Sequence, residues 1–265
     1  MNIKKLFDIS GKVIIITGGI GLLGSQYVDG LSQMGANVVI ADINYKKCQI
    51  LSKKIKAKYR TDPLAIQMDI TDKNSVKQMI KNIMKKYSKI DVLINNAAYQ
   101  GNDELRTTKF ENLPQESWDN ALSVNLTGIF LCCQEVGKIM KKQKRGNIIN
   151  IASTYGIVAP DQRIYGNSKQ NSAVFYAASK SAILNITRYL ASYWNNTGIR
   201  VNTLSPGGVF KNQDPDFVKK YAEKTMLGRM AKKDEYVGAI LFLVSDASSY
   251  MTGSNMIIDG GWTAW

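Results

Sequence analysis

The sequence predicts an α/β protein built on a doubly wound parallel sheet with helices on both faces. Short apolar runs alternate with longer stretches of helical periodicity along the whole chain. A glycine turn follows the first run, and a carboxylate closes the second. Such alternation gives parallel strands joined by crossover helices, with ligands taken at the carboxyl edge of the sheet. A single domain over residues 1–265 is expected, because no Pro- or Ser-rich linker and no internal repeat breaks the pattern.

Val13-Ile-Ile-Ile16 suits a buried parallel strand. Thr17-Gly-Gly-Ile-Gly-Leu-Leu-Gly24 follows, then a helical pattern through Leu23, Tyr27, Leu31 and Met34. Gly19, Gly21 and Gly24 fit G-x-G-x-x-G, in which glycine permits a tight turn and the helix N-terminus offers N–H groups to a pyrophosphate. Gly18, Leu22 and Leu23 belong to the same expected phosphate turn. The run Asn37-Val-Val-Ile-Ala41 ends at Asp42, 18 residues after Gly24, where a carboxylate can accept hydrogen bonds from both hydroxyls of an adenosine ribose. Its charge repels a 2′-phosphate, and the glycine turn holds no basic residue, so NAD is expected over NADP.

Leu64–Met68 reads as a third strand, and Val76, Met79, Ile80, Ile83, Met84 and Tyr87 mark a strongly periodic helix. Asp91–Asn95 is a fourth strand, residues 109–142 are mostly helical with a break near Pro114, and Asn147–Ile151 is a fifth strand. Arg200–Leu204 and Asn255–Ile258 complete the set.

Composition removes several chemistries. The chain has no histidine, which excludes Ser-His-Asp triads, Cys-His pairs and His-bearing metal sites. Cys48, Cys132 and Cys133 form no metal-ligand spacing and no disulfide framework, so no metal is expected and the thiols read as inert groups of a reducing, cytoplasmic protein. The first apolar run is too short for a signal segment or a membrane span. A net charge of +14 suggests nucleic acid, yet Lys46-Lys47, Lys53–Lys56, Lys85-Lys86 and 141–145 fall among helical positions near predicted C-termini. There they complement helix dipoles and form solvated faces, so neither nucleic acid nor membrane is the expected partner.

Two Tyr-x-x-x-Lys pairs compete for the proton chemistry that remains, Tyr165/Lys169 and Tyr176/Lys180. With 13 Tyr and 28 Lys in 265 residues, chance alone supplies about one such pair, so context decides. After Lys180, Ile183, Ile186, Thr187, Leu190 and Tyr193 recur at three- and four-residue steps, placing Tyr176 and Lys180 one turn apart on a rigid helix. Tyr165 precedes Gly166-Asn-Ser-Lys-Gln-Asn-Ser172, which reads as a surface loop.

Together these residues resemble the short-chain dehydrogenase/reductase family from about Ser10 to Trp265. Asn95-Asn-Ala-Ala98 is similar to that family's Asn-Asn-Ala-Gly, placing Asn96, Ala97 and Ala98 at the cofactor, and Asp69-Ile70 to its adenine-binding pair. Asn125, Ser153, Tyr176 and Lys180 match its catalytic set, while Tyr176, Lys180, Pro206, Gly207 and Val209 would also touch the cofactor. The resemblance therefore implies a Rossmann-type fold and an NAD-dependent oxidoreductase interconverting a secondary alcohol and a ketone. Three departures stand out: the turn reads T-G-x-x-G-x-x-G, Ser153 and Tyr176 lie 23 residues apart because 160–172 reads as an insertion, and Lys211 stands where the family often has Thr.

In that chemistry Tyr176 is the proton donor or acceptor, its pKa drawn down by Lys180 and the cofactor's positive nicotinamide ring. Ser153 hydrogen-bonds the substrate oxygen, and Asn125 holds a water that links Lys180 to solvent. Arg163 and Lys169 in the insertion, with Lys211 and Asn212 after Pro206, make an expected substrate lining that is polar and partly basic. It suits a polyhydroxylated or anionic substrate such as a sugar, sugar phosphate or sugar acid, and it resembles reductases of bacterial surface-sugar and flagellin-glycan pathways. The alternatives are a sugar-nucleotide epimerase or dehydratase, from the form of the glycine turn, and a non-catalytic NAD-sensing or nucleic-acid-binding protein, from the charge. The Tyr176 helix has a second apolar stripe, with Leu184, Ala191 and Trp194, and the resemblance implies pairing through this helix, with the stripe as the seam of a homodimer or homotetramer.

Overall fold

In the computed structural model, which describes residues 2–265, the helix α1 (Ile3–Leu6) precedes a seven-stranded parallel sheet. Its first half runs β1 (Val13–Thr17), α2 (Leu22–Gln33), β2 (Asn37–Asp42), α3 (Tyr45–Tyr59), β3 (Leu64–Gln67), α4 (Lys73–Tyr87) and β4 (Val92–Asn95). Three helices follow, α5 (Asp103–Thr107), α6 (Gln115–Leu122) and α7 (Gly128–Gln143), with one π-turn (Ser123–Thr127) between the last two. The second half is β5 (Gly146–Ile151), α8 (Val174–Tyr193), β6 (Ile199–Pro206), α9 (Pro215–Glu223), α10 (Val237–Val244) and β7 (Asn255–Ile258). All seven strands lie where the apolar runs place them.

Strand order is β3-β2-β1-β4-β5-β6-β7, so the winding reverses between β1 and β4 and opens a crevice at their carboxyl ends. Period-two alternation divides the core. Val13, Ile15, Val39, Leu93 and Ile148 face α4, α7 and α8, whereas Ile14, Ile16, Ile40, Ile94 and Ile149 face α2, α3 and α10. Because both faces are covered, the strands carry unbroken apolar runs. Most of the lysines predicted at helix C-termini are there, with Lys56 and Lys58 ending α3, Lys85 and Lys86 ending α4, and Lys141 and Lys142 ending α7, but Lys46 and Lys47 sit in the first turn of α3, against its dipole.

Two smaller clusters sit above the carboxyl edge. Leu105, Ala121 and Phe175 pack beside Tyr99 and Tyr176; Ile164, Tyr221, Met230 and Trp262 pack with Tyr155, Tyr165 and Phe217. They wall the crevice.

On α8 the apolar stripe departs from the sequence reading. Ile183 and Thr187 are buried as expected, but Tyr193 is 65% exposed and stacks on exposed Tyr189 with ring centroids 6.0 Å apart. Trp194, assigned above to an intersubunit seam, is buried in this chain's own core, and Leu184 and Ala191 pack against the same cluster. The reason is the close approach of α7, where a side chain on Gly137 would meet the Trp194 ring. The outward aromatic residues of α8 are the two tyrosines.

Candidate active site

A cleft of about 990 Å³ opens at the switch point. At one end lies the glycine turn. Gly21 caps α2 with no side-chain hydrogen bond, leaving the first amides of the helix for a ligand. The bare backbone is needed: Gly18 has φ +63°, and a Cβ on Gly24 would lie 2.2 Å from the Gly18 carbonyl oxygen. Gly18, Gly21, Leu22 and Leu23 line the cleft; Gly19 and Gly24 lie behind it as packing residues. Asn96 fixes the turn, its side-chain amide donating to the Thr17 and Gly18 carbonyls at 3.0 and 3.1 Å. Asp42 lies at the end of β2 with one carboxylate oxygen accepting from the Asn44 amide. Asp69, Ile70, Asn96, Ala97 and Ala98 continue the lining, and Pro206, Gly207, Val209, Lys211 and Asn212 close the far side. The donors and the Cβ-free cradle fit a dinucleotide.

At the middle of the cleft three predicted side chains converge. Ser153, 7% exposed, follows β5 and accepts from the Tyr155 amide at 3.2 Å. Tyr176 and Lys180 project from the first turns of α8, with Lys180 Nζ 5.6 Å from the Tyr176 ring centroid. Lys180 is 3% exposed and donates to the Ile151 carbonyl at 2.8 Å. Burial lowers its pKa to about 8. The Tyr176 phenol is raised, because burial outweighs the hydrogen bonds from Ser153 and Gln100 that pull it down. Lys180 alone therefore does not make the phenol acidic; the expected lowering also draws on the cofactor's positive nicotinamide ring. The amine faces the Ile151 carbonyl and, with a pKa of about 8, keeps its proton at neutral pH.

The rival pair does not assemble. Tyr165 ends a 3-10 turn (Gln162–Tyr165) and lines the cleft, but its ring packs on Phe217. Lys169 is exposed in a left-handed conformation, φ +60°, outside the lining.

Asn125 sits in the π-turn, fully buried, with its carbonyl oxygen 2.6 Å from the Tyr99 amide and its amide 2.9 Å from the Tyr99 carbonyl. A third bond goes to Ser179 Oγ at 3.3 Å. Its side chain thus fixes the loop after β4. A correction concerns the expected substrate lining. Arg163 points outward, its side chain 83% exposed and its guanidinium on Asp161, so neither it nor Lys169 reaches the cleft.

Residues that sequence reasoning missed take their place. Gln100, Arg106, Tyr155, Tyr165, Gln170, Asn171, Ser172 and Tyr221 line the substrate side. Gln100 was findable, since it lies in the loop that leaves the carboxyl end of β4, just after the Asn95–Ala98 motif; Arg106, in a five-residue polar helix, leaves no periodic signal. The three cysteines are buried, with Cys48 raised to about 11 and Cys133 to about 12, and make no nucleophile.

Fold and cleft define a dinucleotide-binding α/β protein. A family model described as enoyl-(acyl carrier protein) reductase matches residues 19–263. The flagellin modification protein A of Campylobacter coli is 33% identical over 96% of this chain and 99% of its own length. A sorbose reductase of Candida albicans is 33% identical over 99% of this chain and 90% of its own. Among solved structures, a gluconate 5-dehydrogenase from Burkholderia cenocepacia with NADP and tartrate is 28% identical, with TM-score 0.88 and 98% of each chain covered. A short-chain dehydrogenase from Leptospira borgpetersenii with bound NAD+ is 36% identical, with TM-score 0.85 over 99% of this chain and 97% of that one. The chain belongs to the short-chain dehydrogenase/reductase family, and it is an oxidoreductase of the alcohol/ketone kind.

Proposed function

We propose that this protein is a single-domain, NAD-dependent oxidoreductase that interconverts a secondary alcohol and a ketone on a sugar-like substrate. The observation that carries it is the meeting of Ser153, Tyr176 and Lys180 on one cleft with the glycine turn and Asp42. The nicotinamide group supplies a hydride acceptor for oxidation and a donor for reduction. Gly18, Gly21, Leu22 and Leu23 would hold its phosphates, Asp42 its adenosine ribose, Asp69 and Ile70 its adenine, and Tyr176 and Lys180 its nicotinamide end. Tyr176 Oη takes the proton from the substrate hydroxyl or returns it to the carbonyl oxygen. Ser153 Oγ holds that oxygen in place. Lys180, protonated below about pH 8, supplies the positive charge against which the phenol ionises once a ligand closes the cleft.

The sugar-like class draws on the polar lining and on the sorbose reductase and gluconate dehydrogenase relatives. The flagellin modification relative favours a place in surface-sugar chemistry, and buried, unpaired thiols suit the cytoplasm. Homodimers or homotetramers are expected to form through the outer face of α8.

NAD over NADP rests on Asp42. Oxidation of NADH and of NADPH should be compared over a panel of keto-sugars. NADH is expected to be preferred by at least about tenfold, with the preference lost in Asp42→Ala; a native preference for NADPH overturns the assignment. Net NADH consumption also separates this activity from an epimerase or dehydratase, which returns its cofactor every cycle.

A further inference from the structure

We infer that Arg106 seats an anionic end group, a carboxylate or a phosphate, on the substrate of this cleft, an assignment that rests on the oxidoreductase reading above. Arg106 closes α5 and lines the cleft half-buried. No carboxylate among the described residues pairs with it, whereas Arg145, Arg163 and Arg229 each engage one. Among the described residues its guanidinium has no hydrogen-bond partner either. A planar cation with five donors, drawn partly out of water and left without an acceptor, is matched to a ligand that brings two oxygens.

The neighbouring backbone is fixed. The Arg106 carbonyl accepts from the Asn171 amide at 2.7 Å, and Asn171 Nδ2 donates to the Thr108 carbonyl at 2.8 Å. The insertion is thereby stitched to the end of α5, and the cation stands on a rigid corner. It stands on the substrate side: Tyr165, from the insertion, feels its charge, and Tyr165 in turn feels Tyr176. Acidic groups of the lining are held elsewhere. Asp42 and Asp69 mark the adenosine end, with Asp69 bound by Thr71, and Asp214 caps α9 by accepting from the Asp216 and Phe217 amides. The substrate end is left cationic, with Lys211 as a second positive group of the lining.

The test is calorimetric titration of the NADH-saturated protein with D-gluconate, D-glucitol 6-phosphate, D-glucitol and their four- and five-carbon homologues, none of which NADH can reduce. An acid or phosphate is expected to bind at least about tenfold tighter than the alditol of equal length. Arg106→Gln should erase that preference and leave alditol and NADH affinities at their native values, while Arg106→Lys restores part of it. The carboxylate and phosphate arms tell the two anion sources apart. Equal native affinity for acids and alditols overturns the inference, as does a preference that survives Arg106→Gln. A loss of NADH affinity in that variant would assign Arg106 to the cofactor and overturn it too. Since binding is read without turnover, failure of the oxidoreductase reading shows separately, as no NADH consumption with any ketone.

Discussion

Lys180 is a charged side chain held almost entirely out of water, with one carbonyl partner at 2.8 Å. Its pKa falls to about 8 from an unfolded value near 10.5, so the folded state gives up this proton more readily than the unfolded chain. The depressed value means that the charged amine opposes folding. Below pH 8 both states carry the proton and the full penalty applies; between pH 8 and 10.5 the unfolded state binds more protons, and stability rises with pH. Lys180→Met removes the titration. The stability of the native protein relative to this variant, from urea unfolding, is expected to improve by about 2 to 3 kcal/mol between pH 7 and pH 10. A difference that stays flat across that range would show that the amine is solvated. The same burial explains why Tyr176 is raised before any ligand enters.

The insertion and α9 form one roof over the substrate end. Ile164 is 1% exposed among Tyr221, Met230 and Trp262, the Tyr165 and Phe217 rings lie 5.3 Å apart, and Asp161 takes ion pairs from Arg163 and Lys224. Apolar contact does most of the holding, since Arg163 and Lys224 are open to solvent and such pairs contribute little. Ile164→Ala is expected to cost about 2 kcal/mol and to speed tryptic cleavage after Lys169, whereas Asp161→Asn should cost less than about 1 kcal/mol and leave cleavage slow. The reverse ranking would make the ion pairs the clamp. This roof is also where sequence reasoning stopped. Val13–Thr17, Asn37–Asp42 and the Tyr176–Lys180 turn were legible because burial on regular backbone imposes a period. The direction of Arg163 was not, because it depends on which carboxylate a folded loop brings alongside. Nor was the π-turn at Asn125, whose side chain bonds the backbone of Tyr99, a long-range partner.

Across the molecule the +14 charge is dispersed over helix ends, which favours solubility and the drawing-in of anions over the gripping of a duplex. None of the helices among the described residues is long and apolar enough to cross a membrane. The exposed aromatic pair Tyr189 and Tyr193 is the apolar feature on which the proposed self-association through α8 rests. Light scattering is expected to give twice or four times the 29.5 kDa chain mass, and Tyr189→Glu with Tyr193→Glu to lower it. A native monomer, or an assembly indifferent to both changes, would place the contact elsewhere.

The proton step itself is tested by comparing Tyr176→Phe with Tyr165→Phe in NADH oxidation by a keto-sugar, with NADH affinity measured on each by fluorescence. Loss of the Tyr176 hydroxyl should lower kcat by at least about a hundredfold with NADH affinity unchanged, and loss of the Tyr165 hydroxyl should leave kcat within about tenfold. An active Tyr176→Phe enzyme beside an inactive Tyr165→Phe one would contradict the account.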